Sequence, residues 1–320
     1  MPSNTGPIES TSGPMKICRF LLFFLALAIS LSAAKKKNVD DTKTQKLSEA
    51  PEPPAVASGD ATRLVFHVSP LSAKGLLSQQ TRDALAAIFK ANSGAIVIHL
   101  RAFVAGSGDL RRIPQIVSDV FARRHAPLPS VSVVQVGALP LEGAQVLLES
   151  ISEARKPVNP SGVSFTAAQD SVDRIPAGAL AVTCFLSDLA KASEIAARFP
   201  HAAVATVQTQ RLPPRPVTEC QAVVPGGKTG RYAFSGTQAA FGFESRDANL
   251  AFERIGRELT AAGLTLPDVV LTNIYALTKP IADMALKARP APGEYSTFPV
   301  EGIAASDASF AVDVIANSSH

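Results

Sequence analysis

Residues 231–316 carry an order of strands and helices that recurs twice upstream, and this repetition restricts the chain to architectures assembled from like units. Within the stretch, 232–236 is a short β-prone run that stops at a glycine, and 238–243 can return as a second strand, which reads as a hairpin. From Arg246, the apolar positions Leu250, Ile255, Leu259 and Ala262, with Ala251 and Phe252 beside them, recur every three or four residues up to Gly263. That spacing predicts a helix with one buried face and a glycine stop. A β-rich run at 269–277 follows, and Thr278 with Pro280 then suits the start of a second helix ending near Arg289. Strands at 296–303 and 309–316 close the unit. The order implies an α+β layer, with helices on one face of a sheet.

The first copy, 61–153, has a strand at 64–68, a helix at 81–92 with Leu85, Ile88 and Phe89 inward, and the run AIVIHLRAFVA at 95–105. A helix at 113–124 and strands at 130–139 and 144–152 complete it. His99 alternates with Arg101 along its strand and reads as partly exposed sheet. The second copy, 157–225, repeats only the later half clearly: ALAVTCFLSDL at 179–189, a helix at 190–199, and two further strands. Its beginning shrinks to VSFTAAQ at 163–169, with no room for a long helix before Ala179. The third copy is 229–318.

Ser235, Gly236 and Gln238, the Ala-Ala-Gly helix end at 261–263 and the run 268–277 resemble, in order and spacing, the Rid family (YjgF, reactive intermediate deaminases, also called endoribonuclease L-PSP). The run 207–213 is similar to another stretch of that pattern. The resemblance implies a chorismate-mutase-like fold, assembly as trimers, and hydrolysis of imines or enamines, without a cofactor, at clefts between subunits. Three such units in one chain then imply a pseudo-trimer, hence a monomer in solution.

In the family, an arginine at the start of the penultimate strand holds the substrate carboxylate, a task suited to a bidentate guanidinium. The aligned positions here are Val131, Val204 and Tyr295, and Arg211 matches a different place in the pattern. The family's carboxylate on the last strand, which positions water, has counterparts in Glu149, Glu219 and Asp313. The resemblance therefore implies a cleft in which Asp313, with Tyr295 or Glu219, serves catalysis, and Ser235, Gly236 and Tyr232 hold the substrate. Three functions remain open. One is binding or hydrolysis of a small imine-like or carboxylate metabolite. The second is a non-catalytic binding or assembly module. The third is a chorismatase-like enzyme, since chorismatases also join such units in one chain.

Other chemistries find little support. Gly226, Gly227, Lys228 and Thr229 mimic a phosphate loop, but Ala222 stands at the place of its first glycine and a strand follows. The five histidines show no metal-ligand spacing, so no metal is expected. The net charge of +4 gathers largely near the N-terminus and gives no clustered basic face for nucleic acid.

Lys16 and Arg19 precede an apolar run at 20–31, and Ser32, Ala33 and Ala34 follow, the pattern of a secretory signal over 1–34 with Met15 as a candidate start. An uncleaved membrane anchor is the alternative; after cleavage no membrane insertion is expected. Residues 35–60, rich in Lys, Asp, Pro and Ala, read as a disordered linker. Export would leave Cys184 and Cys220 in an oxidising compartment, where a disulfide and two buried thiols are both reasonable.

Overall fold

The computed structural model describes residues 51–106, 108–290, 292–305 and 307–318, all within Ser48–His320. The signal-like segment and residues 35–50 of the expected linker lie outside the described residues. The end of that linker is not disordered. Strand β1 (Val56–Asp60) pairs antiparallel with residues 231–235, from Val56 opposite Ser235 to Asp60 opposite Arg231. Its partner is so distant in sequence that no local pattern announces it. The Asp60 carboxylate then accepts from the Thr62 backbone N–H and starts a single turn leading into β2 (Leu64–Val68).

The first unit continues with α1 (Leu77–Ala91), β3 (Ile96–Ala105), α2 (Arg112–Arg123), β4 (Ser130–Val136) and β5 (Val146–Glu153). Helix α1 begins four residues before its expected start, because Leu77 is buried with Leu85 and Ile88 against the sheet. Phe89 and Phe121 seal α1 to α2 with ring centroids 4.9 Å apart. The second unit holds β6 (Val163–Phe165), β7 (Ala181–Leu186), α3 (Ala192–Arg198), β8 (Ala203–Gln208) and β9 (Thr218–Pro225). Where α1 would stand there is only the three-residue turn Val172–Arg174.

The third unit comprises β10 (Arg231–Ser235), β11 (Gln238–Phe241), α4 (Ser245–Ala261), β12 (Val269–Ala276), α5 (Lys279–Ala288), β13 (Glu294–Pro299), β14 (Gly302–Ile303) and β15 (Ala308–Ser318). Strands β10 and β11 do not form the expected hairpin. Both run antiparallel to β15, at its end and its beginning respectively, so they are one strand interrupted at Gly236 and Thr237. Leu250, expected on the inner face of α4, is 47% exposed, while Ala248, Ala251, Phe252, Ile255 and Leu259 are buried. Thr278 precedes α5 as expected, but its side chain makes no capping bond.

The described residues form three sheets with a common pairing scheme. In each, a middle strand lies between an antiparallel last strand and a parallel penultimate one: β3 between β5 and β4, β7 between β9 and β8, and β12 between β15 and β13. Side chains alternate along a strand, so one face of each sheet can pack on helices and the other on the neighbouring sheets. Phe103, Phe185, Tyr275 and Phe298 meet there, with Phe185 stacked on Phe298 at 3.9 Å and edge-on to Phe103 at 5.5 Å. Each such buried ring contributes about 1.5–3 kcal/mol through area removed from water.

Backbone contacts stitch the sheets together. β14 adds to β4, and the Gly137 N–H donates to the Gln208 carbonyl at 2.9 Å. The Gln210 side-chain amide donates to the carbonyls of Leu277 and Val300. A Cβ at Gly137 would lie 2.5 Å from the backbone of Arg211, a close approach that only glycine permits. Cys184 and Cys220 stand opposite each other on β7 and β9 and are disulfide-bonded, beneath Ile195 and Phe199. No helix among the described residues is long and apolar enough to cross a membrane.

Candidate functional site

The strand register brings three pairs to corresponding places in the three sheets. Arg101 faces Glu149 across β3 and β5, Thr183 faces Gln221 across β7 and β9, and Asn273 faces Asp313 across β12 and β15. On the parallel side of the middle strands lie Ser132, Ala205 and Ser296. Directly opposed residues share a face of their sheet, and hydrogen bonds join the six side chains.

Arg101 is the hub. Its Nε donates to Glu149 at 2.6 Å, Nη2 to Thr183 Oγ1 at 2.9 Å, and Nη1 to Gln221 Oε1 at 3.1 Å and to the Tyr275 hydroxyl at 3.3 Å. Thr183 donates in turn to Glu149. Gln221 donates to Asn273 Oδ1 at 2.7 Å and to Ser296 at 3.1 Å. Asp313 accepts from Asn273 at 2.8 Å, Ser132 at 2.8 Å and Tyr275 at 3.1 Å. One guanidinium thus cross-links all three sheets, and a satisfied buried network of this kind selects one arrangement of its parts.

Electrostatics fix the protonation states. Burial works to lower the Arg101 pKa, but Glu149, Tyr275 and Asp313 raise it overall, so the guanidinium stays charged. Burial pushes the Tyr275 hydroxyl up, reinforced by Asp313, and it remains a phenol able to donate. Burial also raises the Asp313 carboxyl, against the pull of Arg101 and its three donors. His99 falls to about 3 through burial and the nearby Arg101 charge, so it is neutral.

Above this floor lies a cavity of about 80 Å³. Phe66, Phe165, Phe234, Leu271 and Ile315 supply apolar walls, and Arg101, Glu149, Asn273 and Asp313 face it from below. Phe165 packs edge-on against Phe66 at 6.2 Å and Phe234 at 5.5 Å, and the His99 ring stacks on Phe234 at 5.7 Å. The volume holds several waters or one compact solute.

The structure distributes the residues singled out from sequence unevenly. Asp313 and Ser235 line the cavity. Ser235 Oγ is engaged by the Val314 N–H at 2.9 Å. Gly236 runs past the first unit: a Cβ there would lie 2.7 Å from the Val131 carbonyl, so the position aligned with the family arginine is closed by backbone. Val204 is half-buried on β8. Tyr295 is not brought to Asp313. Its neighbour Ser296 points inward, so alternation turns Tyr295 to the other face, where it is 44% exposed with the Arg289 guanidinium 5.0 Å over its ring. Glu219 is not the register counterpart of Glu149 and Asp313; Gln221 is, two residues on. Glu219 instead stands opposite Phe185, its pKa raised by burial, with Arg215 3.8 Å away. The Tyr232 hydroxyl is spent on the Val163 carbonyl at 2.9 Å. Arg211 pairs with Glu301 at the surface. His99, expected to be partly exposed, is buried, with Nδ1 2.9 Å from Ser130 Oγ.

Sequence reasoning missed Arg101, Thr183, Gln221, Asn273 and Tyr275. A usable signal existed for Arg101, a lone charge amid the apolar run 95–105, since charged residues enter such strands only when paired. Among the described residues no group of three or more His, Cys, Asp or Glu side chains could hold a metal ion.

No protein-family model matches the chain, and no curated protein does. Among solved structures, a YjgF-family protein of Mycobacterium tuberculosis is similar over 27% of this chain and 79% of its own, at 22% identity and a TM-score of 0.25. The YjgF gene product of E. coli is similar over 27% of this chain and 80% of its own, at 15% identity and a TM-score of 0.25. A chorismatase is similar over 80% of this chain and 75% of its own, at 11% identity and a TM-score of 0.45.

Proposed function

We propose that this chain is an exported, monomeric Rid-like protein whose three units form a pseudo-trimer and bind a small molecule in the cavity between their sheets. On this reading the ligand is not held through a carboxylate, and the family's imine hydrolysis has lapsed. The carrying observation is the state of Arg101. It is the arginine that faces the cavity, and each of its three nitrogens already donates within the protein. Four of its five N–H groups are thus used, so a substrate carboxylate taking two parallel bonds would have to break that network, which leaves buried partners unpaired at roughly 1–3 kcal/mol each.

The test pairs an activity with a binding measurement. Ammonia release from enzymatically generated 2-aminoacrylate should proceed at the uncatalysed rate. A thermal-shift panel of compact solutes, including benzene, cyclohexanol and indole, should yield ligands whose effect is lost in Ala203→Phe, which fills the cavity wall. A panel without a single cavity-dependent ligand overturns the reading, and a stable homotrimer on sizing overturns the pseudo-trimer.

A second reading has one observation in its favour. Asp313 is a cavity-lining carboxyl with a raised pKa, the condition in which a carboxyl can move a proton. Accelerated hydrolysis of 2-aminoacrylate, abolished by Asp313→Asn, would select that hydrolase in place of the binding protein.

A further inference from the structure

Asp313 is the unusual member of the cavity floor. It is 4% exposed, yet all three of its hydrogen-bond donors, Asn273, Ser132 and Tyr275, are neutral groups. No ion pair among the described residues reaches it; the nearby guanidinium of Arg101 is committed to Glu149 at 2.6 Å. The ionisable groups of the floor are therefore one guanidinium against two carboxylates, with His99 neutral beside them. A buried carboxylate whose nearest guanidinium is bonded to another carboxylate is costly, and burial raises its pKa against that guanidinium's pull.

The same cavity also has an aromatic lining. Phe66, Phe165 and Phe234 line it, with Phe165 edge-on to both others. Phenyl faces carry partial negative charge, attract cations, and bind them more strongly when the site is dry. Phe66 and Phe165 are half-buried. An anion would meet aromatic rings and a floor with two carboxylates against one guanidinium, and a neutral solute would leave Asp313 as it is. A cation satisfies both surfaces together.

We infer that the cavity takes a small organic ammonium ion on a compact apolar body, with Asp313 as its counter-ion and the three phenyl rings as its cage. This rests on the reading of the cavity as a binding site and adds the charge of the ligand. Arg101 and Glu149 then act together as a neutral, rigid base that holds the floor in place.

The experiment is isothermal titration of the full-length protein with three solutes of similar shape: tetramethylammonium, tert-butanol and pivalate. Tetramethylammonium should bind about tenfold tighter than tert-butanol, the scale of one desolvated cation–π contact, and pivalate should not bind. Asp313→Asn should remove the preference for the cation over tert-butanol. Phe165→Leu, at the half-buried wall and away from the network, should weaken the cation selectively, and tests the cage should Asp313→Asn fail to fold. Pivalate binding as well as the cation, or tert-butanol binding equally, overturns the inference and leaves the cavity a binding site. If none of the three binds while the uncharged panel does, the cation alone is overturned. If neither set binds, both readings fall.

Discussion

Asn273 and Asp313 face one another across β12 and β15, the amide donating to the carboxylate at 2.8 Å, at the place where β3 and β5 hold Arg101 and Glu149 2.6 Å apart. In one sheet the carboxylate's cross-strand partner is a guanidinium; in another it is an amide. The third sheet holds Thr183 and Gln221 there, without any charge. A single arginine therefore serves three sheets, and its loss should be felt in all of them.

Replacing Arg101 by Met leaves Glu149 buried without its partner and removes a donor from Thr183, Gln221 and Tyr275. The expected loss is about 3–5 kcal/mol, read as a fall in the urea midpoint at unchanged slope. Arg101→Met combined with Glu149→Leu should recover most of it, because no uncompensated charge remains. A double variant as unstable as the single one would show that the guanidinium's neutral contacts carry the stability.

The Cys184–Cys220 disulfide closes a loop with a sequence separation of 36. Loop-closure entropy assigns such a cross-link about 4 kcal/mol as an upper value. Denaturant unfolding with and without reductant should differ by roughly 2–4 kcal/mol, and thiol titration of the unreduced, unfolded protein should find both residues unreactive.

Glu258 on α4 is pushed up to about 7 by burial, against its bond from Gln238 and the charges of Arg257 and Arg254. The folded protein thus keeps this proton to higher pH than the unfolded chain, where the group titrates near 4.5. Stability should decline as pH rises through that window, from about 4.5 to about 7. Melting temperatures recorded across it should fall for the wild type and fall less for Glu258→Gln; parallel curves would contradict the assignment.

Tyr295→Phe should change neither ligand binding nor, beyond about 0.5 kcal/mol, stability, since the hydroxyl lies on the opposite face from Asp313. A binding defect in this variant would require the β13 strand to present its other side to the cavity.

The sheets and most helices could be read from the chain because their causes are local: apolar spacing, glycine stops, and β-rich runs such as 95–105 and 269–277. Errors arose where the partner is remote. β1 looked like linker because its strand character comes from β10, and β10 with β11 looked like a hairpin because only β15 reveals that they run the same way. The site was read at the right strands but two residues out of step in the second unit, where Glu219 drew attention by its charge and Gln221 holds the position. Tyr295 failed through the same period of two. Asp313, expected from the carboxylate on the last strand of the family pattern, lines the cavity. Nothing local says that its donors come from two strands, β12 and the first unit's β4.

β1 is joined to the third unit's β10 before the chain proceeds to β2 of the first. During synthesis at about 5–20 residues per second, β1 leaves the ribosome roughly ten to thirty-five seconds before its partner exists. Throughout that interval the first and second units can fold while β1 waits as an open edge. β1 is thus paired only once the first strand of the third unit has arrived, so the edge it offers is closed late in synthesis.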